Sequence, residues 1–184
     1  MRLIFALFLT FGFLFALPEN KIESDMKVRL NNVEAVLKDK ALTKEDKRKK
    51  LFNMLDDIFD FEIMAKISLG RPYNTLSKAQ QDEFVKNFVV KLKNSYLDKI
   101  DLYNGQKLQV DSLTKVKDDR INLNTQINGQ NEKYDIIYKF YPKDKEWLIY
   151  DIDIIGVSIV QTYRKQFGEF LATKSVNELL ESLK

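Results

Sequence analysis

The sequence predicts an α+β domain in which helices come first, a four-stranded antiparallel meander follows, and helices return at the end. Two observations carry this expectation. Apolar residues recur every three or four positions up to about residue 100 and every second position from Lys107 onward. The period-two segments are joined by short turns, which suit antiparallel neighbours, whereas parallel neighbours would need long crossovers. The chain has 184 residues and no stretch of linker composition, so one domain with a substantial core is expected. Helices on both sides of a meander imply layer packing, with one sheet face covered by helices.

Each element has a local reason. A first amphipathic helix is expected from about Ile22 to Lys38. A second begins at Thr43, where Thr43-x-x-Asp46 resembles a capping box, and carries Leu51, Leu55 and Ile58 on one stripe. A short apolar helix over Phe61 to Leu69 stops at Gly70, and Pro72 is expected to keep the chain extended. Ser77-x-x-Gln80 opens the longest helix, in which Phe84, Phe88, Leu92, Tyr96 and Ile100 recur every fourth residue and which Gly105 closes. Beyond Lys107, Ile121, Leu123, Thr125 and Ile127 alternate with polar residues, Asn128-Gly129 signals a hairpin, and Tyr134, Ile136, Tyr138 and Phe140 mark the returning strand. Pro142 to Lys145 reads as the next turn. Ser175-x-x-Glu178 is a further capping box, starting a helix with Leu179, Leu180 and Leu183.

Residues 1–16 stand apart. Arg2 precedes an uncharged, largely apolar run from Leu3 to Phe15, and Ala16 and Leu17 come before the polar Pro18-Glu19-Asn20-Lys21. The run is short for a membrane span and has the three-part layout of a secretory signal cleaved near Ala16 or Leu17, an uncleaved anchor being the alternative. An exported protein without a single cysteine can carry neither disulfides nor a lipid-modified cysteine, so its core must hold the fold.

Several chemistries are excluded by composition. The chain has no histidine, which removes histidine-based triads, histidine metal sites and an imidazole switch, and without cysteine there is no thiol catalysis. Neither GxxxxGK nor GxGxxG occurs. No catalytic residues, metal or cofactor are expected. Asp151 and Asp153 form the obvious carboxylate pair, but alternation puts them opposite the apolar row, facing water or a partner helix. The formal net charge of +3 is too small to point to nucleic acid. The basic cluster Lys47, Arg48, Lys49 and Lys50 reads as a solvated helix face, or as a docking patch for anionic headgroups or an acidic partner.

The most informative stretch is Glu146 to Phe167, EWLIYDIDIIGVSIVQTYRKQF. Leu148, Tyr150, Ile152 and Ile154 fall at period two; Gly156 ends that strand; Ile159, Tyr163 and Phe167 then share one side of a helix for which Ser158 is a plausible cap. The wording of this junction resembles that of the MlaC family, also called toluene-tolerance proteins. The likeness extends upstream through Phe59-Asp60-Phe61, Met64-Ala65, Leu69-Gly70, Ser77-x-x-Gln80-Gln81-x-x-Phe84, Phe88, Tyr96 and Tyr103-x-Gly105-Gln106, so that it covers about residues 56–170.

That resemblance implies a nuclear-transport-factor-2-like cone with an internal lipid pocket and a periplasmic phospholipid carrier with no reaction of its own. It further implies glycerophospholipid shuttling between an outer-membrane lipoprotein–porin complex and an inner-membrane ATP-driven transporter bearing a substrate-binding hexamer, which maintains outer-membrane lipid asymmetry. Thirteen Phe and eight Tyr could simply fill a core; a carrier requires instead that part of the space stays empty for acyl chains. At about 0.8 kcal/mol per CH₂, two tails of about thirty carbons together represent on the order of 25 kcal/mol of gross transfer, too much to leave in water.

Candidate tail contacts are Phe61, Met64 and Leu69 on the short helix, and Phe88, Leu92 and Tyr96 on the long one. On strands they are Tyr134, Ile136, Tyr138, Leu148, Tyr150 and Ile152, with Val157, Val160 and Tyr163 beyond Gly156; inverted strand faces remain an alternative, because Ile137 and Ile149 are apolar as well. Arg71 and Arg164 are rim candidates for a phosphate. Two other classes stay open: a non-catalytic adaptor or chaperone with a filled core, and a small isomerase or hydrolase on the same scaffold using Asp151 with a nearby Tyr.

Overall fold

A computed structural model describes residues 17–97, 103–129 and 132–184; the side chains of Tyr96 and Leu97 are outside the description, as are residues 1–16 and Ile100. The elements in chain order are α1 (Ile22–Lys38), α2 (Lys44–Leu55), α3 (Phe61–Leu69), α4 (Lys78–Leu97), β1 (Lys107–Lys117), β2 (Arg120–Asn128), β3 (Lys133–Lys143), β4 (Glu146–Ile154), β5 (Val157–Ser158), α5 (Ile159–Leu171) and α6 (Val176–Ser182).

Helix starts follow the caps. The side-chain oxygens of Thr43, Asp60, Ser158 and Ser175 each accept a backbone N–H from the first turn of α2, α3, α5 and α6, and at Ser175 the Glu178 carboxylate closes a full capping box. Ser77 and Gln80 exchange the same pair of bonds before α4. Pro72 does not hold the chain extended. It sits inside a 3₁₀ turn over Arg71–Thr75, whose φ values its ring already fits.

The sheet is a meander in the order β1-β2-β3-β4-β5, one strand more than the periodicity suggests. The extra strand arises at Gly156. Ile155 and Gly156 both have positive φ, 53° and 76°, and form a two-residue hairpin that returns Val157 against Ile154 before α5 begins. A second correction concerns Pro142, which pairs with Trp147 inside the β3–β4 ladder; the turn itself is Asp144-Lys145.

The third correction decides which side chains face inward. Phe140 pairs with Ile149, yet Lys139 pairs with Asp151, so β4 carries one extra residue at Tyr150. A bulge breaks strict alternation: Ile149, Ile152 and Ile154 share the face of Ile136, Tyr138 and Phe140, whereas Leu148 pairs with Tyr141 on the other face.

Two main clusters cover the inner face. Ile22 and Met26 of α1 pack with Ile58 on Ile121, Leu123, Phe140, Trp147 and Ile149. Farther along, α3, α4, α5 and α6 bury Phe84, Phe88, Tyr163 and Phe167 as edge-to-face and stacked rings. Helix α2 rests through Leu51 on Val33 and Val36 of α1.

Candidate functional site

The two main clusters leave space between them. A cavity of about 220 Å³ lies under α2, against α3 and α4, with β3 and β4 as its floor. Its wall is apolar: Leu51, Phe52 and Leu55 from α2, Phe59, Phe61 and Met64 around α3, Leu92 from α4, and Ile136, Tyr138, Ile152, Ile154 and Ile159. Such a void is costly in a protein that needs only a filled core, because its lining forfeits dispersion contacts. Burial pushes the Tyr138 phenol up to about 12, so it stays a neutral proton donor.

Two charged residues line the cavity, and they face each other. Lys93 Nζ of α4 donates to Asp56 Oδ2 at the end of α2, and it lies 4.4 Å from the Phe52 ring centroid and 5.1 Å from that of Phe61. Phe59 and Phe61 stack beside it at 5.4 Å. Neither Asp56 nor Lys93 is among the binding candidates read from the sequence.

The structure brings only some of the sequence candidates to this space. Phe61, Met64, Leu92, Ile136, Tyr138 and Ile152 line it. Leu69, Phe88, Val160 and Tyr163 instead belong to the helical core, where Phe88 and Tyr163 stack edge to face at 5.2 Å. Leu148 and Tyr150 are on the opposite sheet face, Tyr150 edge-on to Tyr141 with the Arg120 guanidinium over both rings. Val157 is exposed at the hairpin, and the Tyr134 hydroxyl is tied to Glu132. Tyr96 belongs to α4, but its side chain is outside the description.

The rim candidates fall elsewhere as well. Arg71 lines a separate open groove with Leu171, Lys174 and Val176, and the Arg164 guanidinium packs over Gly70. The basic cluster divides, because Lys47 turns inward to donate to the Leu37 carbonyl at 2.7 Å, and Arg48 is half-buried; Lys49 and Lys50 are exposed.

Asp151 is buried, not projecting into water. Its carboxylate accepts from Ser158 Oγ at 2.7 Å, from Lys139 Nζ at 3.1 Å and from the N–H of Val160 at 3.2 Å, which makes it a second cap on α5. Asp153 pairs with the same lysine at 2.7 Å. Neither carboxylate lines the cavity, which removes the geometry that a reaction using Asp151 would require.

A helix-clad antiparallel sheet around an apolar cavity offers a site of the kind that non-polar ligands occupy. The chain belongs to the MlaC family, whose model, described as MlaC protein, matches residues 28–184. It is similar to the intermembrane phospholipid transport system binding protein MlaC of Haemophilus influenzae, 27% identical over 120 residues. That match spans 62% of this chain and 56% of that protein. The fold is shared with a phospholipid-binding protein from Ralstonia solanacearum solved in complex with a phospholipid, with a TM-score of 0.76, 21% identity, and coverage of 88% of this chain and 93% of the other.

Proposed function

We propose that this chain is a periplasmic carrier of glycerophospholipids, exported by a signal peptide over residues 1–16 and cleaved to a single lipid-binding domain over 17–184. The observation that carries the reading is an apolar cavity between sheet and helices in a member of the MlaC family. The carrier takes lipid between an outer-membrane lipoprotein–porin complex and an inner-membrane ATP-driven transporter with a substrate-binding hexamer, maintains outer-membrane lipid asymmetry, and catalyses no reaction. The Haemophilus relative, named as the binding protein of an intermembrane phospholipid transport system, supports this role.

The cavity volume sets a condition on the mechanism. The space of about 220 Å³ is small beside two acyl tails of about thirty carbons together. The tails replace a void and surrounding water contacts with apolar contacts, which is the source of affinity. The phosphate and headgroup remain at the rim, so discrimination among headgroups is weak.

Native mass spectrometry of protein purified from a periplasmic fraction tests the reading. A bound species at phospholipid mass is expected; a uniformly empty protein that also takes no lipid from vesicles overturns it.

A further inference from the structure

We infer that Lys93 is the phosphate site of this carrier and that Asp56 occupies it in the lipid-free form, an inference that rests on the carrier reading above. The two residues are the charged members of an otherwise apolar wall, and their ion pair bridges α2 and α4, the helices over the cavity. Lys93 is partly buried, with 21% of its side chain exposed, and its ammonium stands on the faces of Phe52 and Phe61. A cation held in this way needs an anion partner, and the aromatic faces favour retaining it in place. Asp56 is twice as exposed, at 42%, so it can exchange its partner for water.

The neighbouring groups allow that exchange without loosening the chain. Arg29 holds Asp57 through two bonds of 2.7 and 2.8 Å and the Met54 carbonyl through a third of 2.5 Å, so the end of α2 stays anchored when Asp56 lets go. A phosphodiester arriving at Lys93 restores the lost charge pairing, and its glycerol then places both tails against Phe61, Leu92 and Tyr138. Every glycerophospholipid carries this phosphate, which makes the site selective for the class and indifferent to the headgroup. The pairing of Asp56 with Lys93 thus marks the lipid-free form.

The test offers delipidated full-length mature protein equal amounts of dioleoyl-phosphatidylglycerol and dioleoylglycerol in mixed vesicles and reads uptake by native mass spectrometry. Wild type should prefer the phospholipid, and Lys93→Met should lower that preference about tenfold, equivalent to about 1.4 kcal/mol. Asp56→Asn breaks the same ion pair but should raise phospholipid uptake, since it removes the competitor. A structural role alone moves both variants in the same direction for both lipids and would overturn the assignment. Lys93→Arg should restore the preference, and melting curves of all variants identify any that fail to fold.

Equal uptake of both lipids by wild type and Lys93→Met sinks the Lys93 site while leaving the carrier standing. Uptake of neither lipid by wild type sinks both. Glycerol 3-phosphate is the remaining arm: if it raises the melting temperature of wild type but not of Lys93→Met, the ligand is free phosphate and not a lipid headgroup.

Discussion

The Lys143 ammonium of β3 lies 2.7 Å from the buried carboxylate of Asp60, the residue that caps α3. The same carboxylate accepts from the Tyr141 hydroxyl and, at 3.1 Å, from the N–H of Ile63, while the Asp60 backbone N–H donates to the Ile149 carbonyl at 2.9 Å. One aspartate therefore fixes the start of α3 against β3 and β4, and α3 supplies Phe61 and Met64 to the cavity wall.

Burial alone would raise the Asp60 pKa, but the bonds from Lys143, Tyr141 and Ile63 outweigh it and hold the carboxyl below its usual value. A depressed carboxylate stabilises the fold above the unfolded value of about 3.9, and that contribution disappears as pH falls below it toward the folded value. Asp60→Asn keeps a competent cap yet loses the charge, so its cost should be about 1 kcal/mol at pH 7 and shrink once pH falls below the unfolded value; Asp60→Ala loses the cap as well and should cost about 2 kcal/mol. Urea unfolding at pH 7, 5 and 3 checks this. A constant difference between wild type and Asp60→Asn across that range would show that the ion pair is not the cause.

Asp151→Ala should destabilise by about 2 kcal/mol, because it leaves the Val160 N–H and the Lys139 ammonium short of a buried partner. Asp151→Asn should be milder. Thermal unfolding measures both, and a loss below about 0.5 kcal/mol for alanine would place the cap of α5 on Ser158 alone.

The hairpin at Ile155-Gly156 separates two causes of strain. A Cβ built at Gly156 meets nothing within 4 Å, yet φ is 76°, so crowding is absent and backbone conformation is the whole cost. Gly156→Ala should therefore cost about 1 kcal/mol and Gly156→Val somewhat more. Ile155 has φ 53° and is 60% exposed, a poor residue for that conformation, and Ile155→Asn should stabilise by about 0.5 to 1 kcal/mol. Equal melting temperatures for Ile155→Asn and wild type would mean that the apolar side chain recovers its strain through contacts.

Leu92→Trp and Val160→Trp should part company. Leu92 lines the cavity, so the larger ring fills it and blocks lipid with a small change in stability. Val160 is 1% exposed in the helical core, where overpacking should cost about 1 to 3 kcal/mol. Lipid extraction and melting curves on both decide it; unchanged occupancy in Leu92→Trp would move the tails elsewhere.

If Lys49 and Lys50 guide docking to the partner complexes, their reversal to glutamate should slow lipid transfer between donor and acceptor liposomes bearing those complexes, more at 20 mM salt than at 300 mM, because the Debye length shrinks from about 20 to about 6 Å. Transfer unaffected at both concentrations leaves them as a solvated helix face.

What the sequence determined by itself was local in origin. The bounds of α1 and α3, the caps at Thr43, Ser158 and Ser175, and the meander all follow from residues within a few positions of one another, since capping bonds and periodic burial are short-range causes. The inner face of β4 was not legible, because one bulged residue at Tyr150 reverses alternation halfway along and leaves no mark in the hydrophobic pattern. Nor could periodicity tell Leu92, which reaches the cavity from the helical core, from Phe88, which does not line it, four residues earlier on the same stripe. Only the tertiary structure decided that α2 roofs the cavity and that Lys93 meets Asp56 there. Empty volume and a contact between residues 37 positions apart are properties of how elements pack, and no local pattern encodes them.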